Sequence, residues 1–235
     1  MTLLVKNARI SVSYSGFCGV IRRLLFYRLK GIYAMNLVLA SQSPRRREIL
    51  DNLGFSFRVI TADTDESCQE RDPRRYVETL ALRKGRAVLE KLVRENAMDQ
   101  QTIILAADTV VAARDQILGK PKDADDADRM LRLLSGTTHQ VISGIALLSA
   151  NKTAVASEVT GVRFSALTES DIALYVASDE PYDKAGAYAV QGMASLWIEG
   201  LDGDYFNVVG LPVKRLHDML YNDFGIDPAP IIFHR

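Results

Sequence analysis

Asp108 stands in the middle of the most apolar run of the chain, Thr102 to Ala112 (TIILAADTVVA). A strand of that composition is buried on both faces, and a carboxylate inside it costs several kcal/mol unless it is paired, hydrogen-bonded or bound to metal. A second unusual placement lies in residues 36–54, NLVLASQSPRRREILDNLG, where Arg45, Arg46 and Arg47 fall in the first turn of a predicted helix. The helix dipole disfavours cations there by roughly 0.3–1 kcal/mol each. An anion docked at that end reverses the sign, since exposed backbone N–H groups, the Ser41 and Ser43 hydroxyls and a guanidinium fork are what phosphate oxygens need. The plainer alternative is a capped helix with solvated arginines, and the stretch alone does not choose between them.

Other residues extend this set. Glu66 closes the acidic turn Asp63-Thr64-Asp65-Glu66, and Lys84 recurs with Tyr76, Leu80 and Val88 every four residues along a predicted long helix. Lys84 either snorkels to solvent or points into a site. Lys120 follows a glycine, and Lys184 and Gln191 lie in DKAGAYAVQG (183–192), whose small residues let a backbone or ligand approach closely. Several cations for a polyphosphate and two carboxylates, Glu66 and Asp108, for a divalent metal make a coherent site for cleaving phosphoanhydrides. Mg²⁺ would bridge carboxylate and phosphate oxygens while keeping waters, and a carboxylate beside it could take a proton from the attacking water. Neither a P-loop nor a dinucleotide fingerprint is present. The three histidines, His139, His217 and His234, have no context for a catalytic triad or a zinc site.

The elements that must hold these residues alternate strand and helix. Asn36 to Ala40 is a predicted strand, and Ser43 and Pro44 open a helix that Gly54 ends. Phe55 to Thr61 reads as a strand, Pro73 to about Asn96 as a helix, and 102–112 as the buried strand. A short return strand precedes Gly119-Lys120-Pro121, and Asp123 caps a helix ending at Gly136. His139 to Ser149 and Thr153 to Leu167 pair around Asn151-Lys152, and Thr168 caps a helix to about Ser178. Ala194 to Ile198 reads as a strand, and 207–212 as a loop entering a final helix to about Tyr221. No linker divides 36–222, so the expectation is one α/β domain, followed by an irregular tail over 223–235.

The composition is that of a soluble globular protein, with 48% apolar and 25% charged residues. Zero net charge argues against bulk nucleic-acid binding, yet residues 1–34 carry +6 with no acid, while the remainder has 23 basic residues against 29 acidic, so −6. Residues 1–34 read either as a targeting-type extension, with an amphipathic helix over 22–30, or as upstream sequence attached by a misassigned start before Met35. No run reaches the ~18–20 apolar residues of a membrane span, and one basic stretch gives only marginal attachment, so no stable membrane association is expected. Two cysteines, Cys18 and Cys68, suggest a reducing compartment, hence a cytoplasmic protein.

SxSPRRxEIL (Ser41 to Leu50), ADTVV (107–111), GKP (119–121), LSG (134–136), DKAGAYAVQG and NVVGLP (207–212) resemble, in order and spacing, the Maf family of nucleoside triphosphate pyrophosphatases. The resemblance implies hydrolysis to a monophosphate and pyrophosphate, a divalent metal (Mg²⁺ or Mn²⁺), a homodimer, and a single-domain mixed sheet flanked by helices, as in inosine triphosphatases. It gives Asp108 the proton-acceptor role and puts Glu66, Lys84 and Lys120 on positions that bind metal or phosphates. Arg45, Thr109 and Gln191 match the dTTP/UTP branch, where a 7-methyl-GTP branch carries Trp, Gln and Glu. Gln and Thr offer donors and acceptors to a neutral pyrimidine edge. Ala106 and Ala189 replace glycines frequent in the family and are expected at most to narrow the pocket. A non-catalytic nucleotide-binding regulator of cell division is the alternative, but a pure binder has no need of a buried general base.

Overall fold

The computed structural model describes residues 3–5, 8–10, 35–229 and 232. Within the unit 1–34, β1 (Leu3–Val5) pairs antiparallel with β2 (Ala8–Ile10). The amphipathic helix expected over 22–30, Cys18 and most of the tail beyond 229 lie outside the described residues.

In the body, alternation along each strand sorts side chains to two faces. In β3 (Asn36–Leu39), Leu37 and Leu39 join one buried cluster and Val38 the other. In β5 (Thr102–Ala113), Ile103, Leu105 and Ala107 join the first cluster, and Ile104 and Ala106 the second. Both faces are therefore covered, as the unbroken apolar run requires. The first face carries helix α1 (Pro44–Asn52) through Ile49 and Leu50, and the second carries the long helix α2 (Pro73–Arg94) through Ala81, Val88 and Leu92.

The seven-stranded mixed sheet places β3 between β4 (Phe57–Val59) and β5, both parallel to it. From β5 the path runs antiparallel through β7 (Thr138–Leu148), β8 (Thr153–Phe164) and β9 (Ile198–Asp202), with β6 (Gln116–Leu118) returning on β5. Helix α3 (Ala124–Leu134) and helix α4 (Glu169–Val176) pack under the far end through Met130, Leu131, Ile172 and Tyr175. β5 outlasts β3, whose last paired residue, Leu39, lies opposite Leu105. Asp108 and Thr109 therefore sit just past the carboxyl end of a parallel strand, where open α/β sheets leave a crevice.

Several expectations are corrected. β4 spans three residues instead of seven, because its one partner among the described residues, β3, offers four. Residues 193–197 form a 3₁₀ turn, since Gly192 at φ 144° bends the chain and its carbonyl accepts the Ser195 N–H; the strand begins only at Ile198. The expected loop at 207–212 opens as a short helix, α5 (Tyr205–Val209), because the Asp204 side chain caps it at the Phe206 N–H. The helix expected to about Tyr221 is α6 (Val213–Asp218), continuing as a π turn through Asp223. On α2 the buried stripe is Val77, Leu80, Ala81, Gly85, Val88 and Leu92, with Tyr76 and Lys84 half-buried at its edge. Ala106 is wholly buried beneath α2 and does not line the pocket.

How close α2 lies to the sheet is set by Gly144, which pairs with Asp108 across β5 and β7. A Cβ on Gly144 would stand 2.5 Å from the Val77 carbonyl carbon and 2.8 Å from the Glu78 nitrogen, both backbone atoms. Gly144→Ala is expected to destabilise the fold by about 1–3 kcal/mol, as overpacking does, read by urea denaturation. An unchanged midpoint would mean that α2 does not approach the sheet in this way.

Candidate active site

One cleft of about 670 Å³ gathers Ser41, Ser43, Arg45, Arg46, Glu66, Lys84, Asp108, Thr109, Lys120, Lys184 and Gln191, while Arg47 is exposed and does not line it. Asp108 and Thr109, adjacent in β5, point to opposite faces of the sheet, so the cleft is built from both sides of one strand. On the α2 side, Lys84 Nζ donates to Asp108 Oδ1 at 2.7 Å and meets Glu66 Oε1 at 2.9 Å. Lys84 therefore turns into the cleft and not to solvent. Its hydrogen bond holds the Glu66 carboxyl below the usual carboxylate range, with its charge adding to the effect. Asp108 is nearly enclosed, its side chain 13% exposed. Among the described residues its Oδ2 has no hydrogen-bond partner.

On the other face, Arg46 spreads its guanidinium over three acceptors: the Gly210 carbonyl at 2.8 Å, Ser41 Oγ at 3.0 Å and Thr109 Oγ1 at 3.0 Å. At least three of its five N–H donors are thereby spent inside the protein. Gly210, at φ 123°, adopts a backbone that other residues rarely reach. Ser41 Oγ also accepts the Ser43 N–H at 3.2 Å, which leaves the Ser41 hydroxyl hydrogen free to donate. Thr109 Oγ1 lies 2.8 Å from Ser143 Oγ, and Ser143 donates its single proton to the Asn207 carbonyl at 2.9 Å. Thr109 must then donate to Ser143, so it can offer a ligand an acceptor but no donor. That corrects the expectation of both from Thr109.

Ser43 occupies the N-cap of α1, yet its hydroxyl makes no capping bond. The first helical N–H with a backbone acceptor is that of Arg47, to the Ser43 carbonyl at 3.3 Å. The Arg45 and Arg46 N–H groups have no protein acceptor among the described residues. Uncapped donors, a positive helix end and Arg45 together are features that favour an anion. Arg45 is held by Asp183, through Oδ2 at 3.4 Å and the carbonyl at 3.3 Å, and Lys184 pairs with the same carboxylate. Burial pushes the Asp183 carboxyl up, but these cations outweigh it and hold it below its ordinary value. Lys120 is exposed at the rim.

Asp183 and Phe206 escaped the sequence reading. Asp183 could have been found as the acid beside Lys184. Phe206, 39% exposed, lines a side hollow of about 220 Å³ with Arg45, Gln191 and Val209, and nothing in its sequence context separates it from a core aromatic. Among the described residues, no three of His, Cys, Asp or Glu are gathered as a metal cage, and no helix is long and apolar enough to cross a membrane.

A family model described as Maf-like protein matches residues 36–223. The dTTP/UTP pyrophosphatase of Caldanaerobacter subterraneus subsp. tengcongensis is 45% identical over 194 residues, 82% of this chain and 91% of that protein. That of Pelotomaculum thermopropionicum is 49% identical over 187 residues, 78% of this chain and 94% of its own. The solved Staphylococcus aureus Ham1 protein overlaps 55% of this chain and 71% of its own at a TM-score of 0.38 and 16% identity, a likeness too weak to bear on the chemistry.

Beneath the cleft, His139 is 2% exposed, and its Nε2 lies 2.8 Å from the hydroxyl of Tyr188, a lining residue. Burial lowers its pKa from 6.5 to about 4. The unfolded chain therefore takes up a proton that the folded one refuses, so this group leaves stability unchanged above pH 6.5. Below that, stability falls until about pH 4, by on the order of 3 kcal/mol in all. His139→Gln, which cannot titrate, should lose less on acidification. Urea denaturation from pH 7.5 to 4.5 should show the two stabilities converging, and parallel curves would contradict this.

Proposed function

The chain belongs to the Maf-like protein family, and on that premise we propose that it hydrolyses nucleoside triphosphates, dTTP and UTP foremost, to the monophosphate and pyrophosphate. The observation that carries this reading is the Lys84 ammonium between Asp108 and Glu66, in the same cleft as the uncapped start of α1. Relatives named for dTTP and UTP support the substrate class.

Arg45, Lys120 and Lys184 take phosphate oxygens, with the Ser41 and Ser43 hydroxyls and the free N–H groups of α1. Arg45 leaves Asp183 to do so, exchanging one carboxylate for a more highly charged chain. Arg46, with at most two donors remaining, chiefly fixes Ser41 and Thr109. Asp108 Oδ2 accepts a proton from water as the water oxygen bonds to phosphorus, the phosphoanhydride bond breaks and pyrophosphate departs. Lys84 offsets the repulsion between the two carboxylates.

Glu66 and Asp108 would hold a divalent cation, Mg²⁺ or Mn²⁺. Two carboxylates without a third protein ligand fit a cation that keeps several waters and shares the substrate's phosphates. When bound, such a cation neutralises charge developing on those phosphates. Gln191 pairs with the pyrimidine edge, Thr109 offers its remaining lone pair, and Phe206 presents an aromatic face. A cytoplasmic homodimer belongs to the same reading.

Asp108→Asn should keep the fold and substrate affinity and lose about 10²–10⁴-fold in turnover. Near wild-type turnover would remove Asp108 from the base role. In a screen of nucleoside triphosphates with Mg²⁺ or Mn²⁺, read by pyrophosphate release, UTP and dTTP should be cleaved much faster than ATP, GTP or 7-methyl-GTP. Gln191→Glu should lower activity on UTP more than on a purine, because an unpaired polar group costs about 1–3 kcal/mol. A wild-type preference for 7-methyl-GTP, or an unchanged UTP-to-GTP ratio in the variant, would defeat the pyrimidine assignment.

A further inference from the structure

The Gln191 side chain makes no hydrogen bond to the described residues, so its position depends on the backbone that carries it. Two backbone N–H groups flank it, Ala189 two residues before and Met193 two after, and both end on one side-chain pair. The Ala189 N–H donates to the Tyr175 hydroxyl at 3.3 Å, and the Met193 N–H donates to Glu180 Oε2 at 3.0 Å. Tyr175 in turn donates to Glu180 Oε1 at 2.9 Å, which closes the bracket. The Glu180 carbonyl also accepts from Lys184 Nζ at 3.1 Å.

Each anchor is itself fixed. Tyr175 is 2% exposed, lies on α4 and packs edge-on against Trp197 at 5.2 Å between centroids. Gly192 stands at φ 144°, and a Cβ there would come 2.4 Å from Glu180 Oε1, so the carboxylate fills the space a side chain would take. The loop is thus moulded around a carboxylate that never reaches the cleft floor.

We infer that Tyr175 and Glu180 are positioning residues that set substrate preference by fixing where Gln191 stands. The inference rests on Gln191 reading the base. Neither residue touches substrate: the phenol and carboxylate act on the backbone at 189 and 193, and Lys184 is held through the Glu180 carbonyl, which substitution of the side chain leaves in place. A loosened bracket lets Gln191 sample several positions, which weakens binding of the preferred base while Asp108, Lys84 and Glu66 stay where they are.

The test uses Tyr175→Phe, which keeps the ring in the core, and Glu180→Gln, which keeps one acceptor oxygen. One lost hydrogen bond corresponds to roughly a threefold to tenfold effect. Amide exchange at 189–193 should speed up by about that factor, the KM for UTP should rise by about the same, kcat should stay within about twofold, and the UTP-to-GTP ratio of kcat/KM should fall. Glu180→Gln should lie between wild type and Glu180→Ala. Unchanged exchange in both conservative variants overturns the inference. So does faster exchange with an unmoved KM and ratio when Gln191→Ala does move the ratio. If Gln191→Ala leaves the ratio unmoved as well, the base-reading role of Gln191 fails first, and the inference falls with it.

Discussion

A lysine ammonium between two carboxylates is the interaction on which the rest of this molecule turns. Asp108 sits in a strand covered on both faces, where an unpaired carboxylate would cost several kcal/mol, and Lys84 answers it at 2.7 Å while also reaching Glu66. That contact exists only because α2 lies almost on the sheet. Gly144 opposite Asp108, together with Gly85 over Leu148 and Ala106, removes the bulk that would hold the helix away. Helix α2 and strands β5 and β7 are thus spent on bringing one cation to two acids.

The opposite face of β5 solves a different problem. Thr109 is held there by a chain of hydrogen bonds from Ser41 through Arg46 to Ser143 and the Asn207 carbonyl, which fixes the direction of its proton. Adjacent residues of one strand therefore divide the work, with charge on the side of α2 and a fixed acceptor on the side of α1. The register that ends β3 at Leu39 opens the sheet where both meet.

Much of this was legible because the anomalies were physical. An acid in TIILAADTVVA, arginines at a helix start and a lysine on an apolar stripe each break a local rule, and the cleft collects the acid, the lysine and two of the three arginines, leaving Arg47 outside. What stayed hidden was partnership across the chain. Arg45 and Arg46 are indistinguishable in sequence, yet one is held at an exposed acid and the other is wedged among Ser41, Thr109 and Gly210. The bracket of Tyr175 and Glu180 gave no signal, because a tyrosine on an amphipathic helix reads as core. The missed elements, the turn at 193–197 and helix α5, are short, and there single glycines and one capping aspartate outweigh periodicity.

The most direct measurement is a crystal structure of the wild-type chain with Mg²⁺ and a uridine triphosphate analogue carrying an imido bridge between the α and β phosphates. The expected result is phosphates between the first turn of α1 and the group of Lys84, Asp108 and Glu66, with Arg45 released from Asp183 and the metal on the two carboxylates. An analogue seated elsewhere, or one bound with its phosphates turned away from Asp108 and the bridge from Arg45 to Asp183 intact, would contradict it.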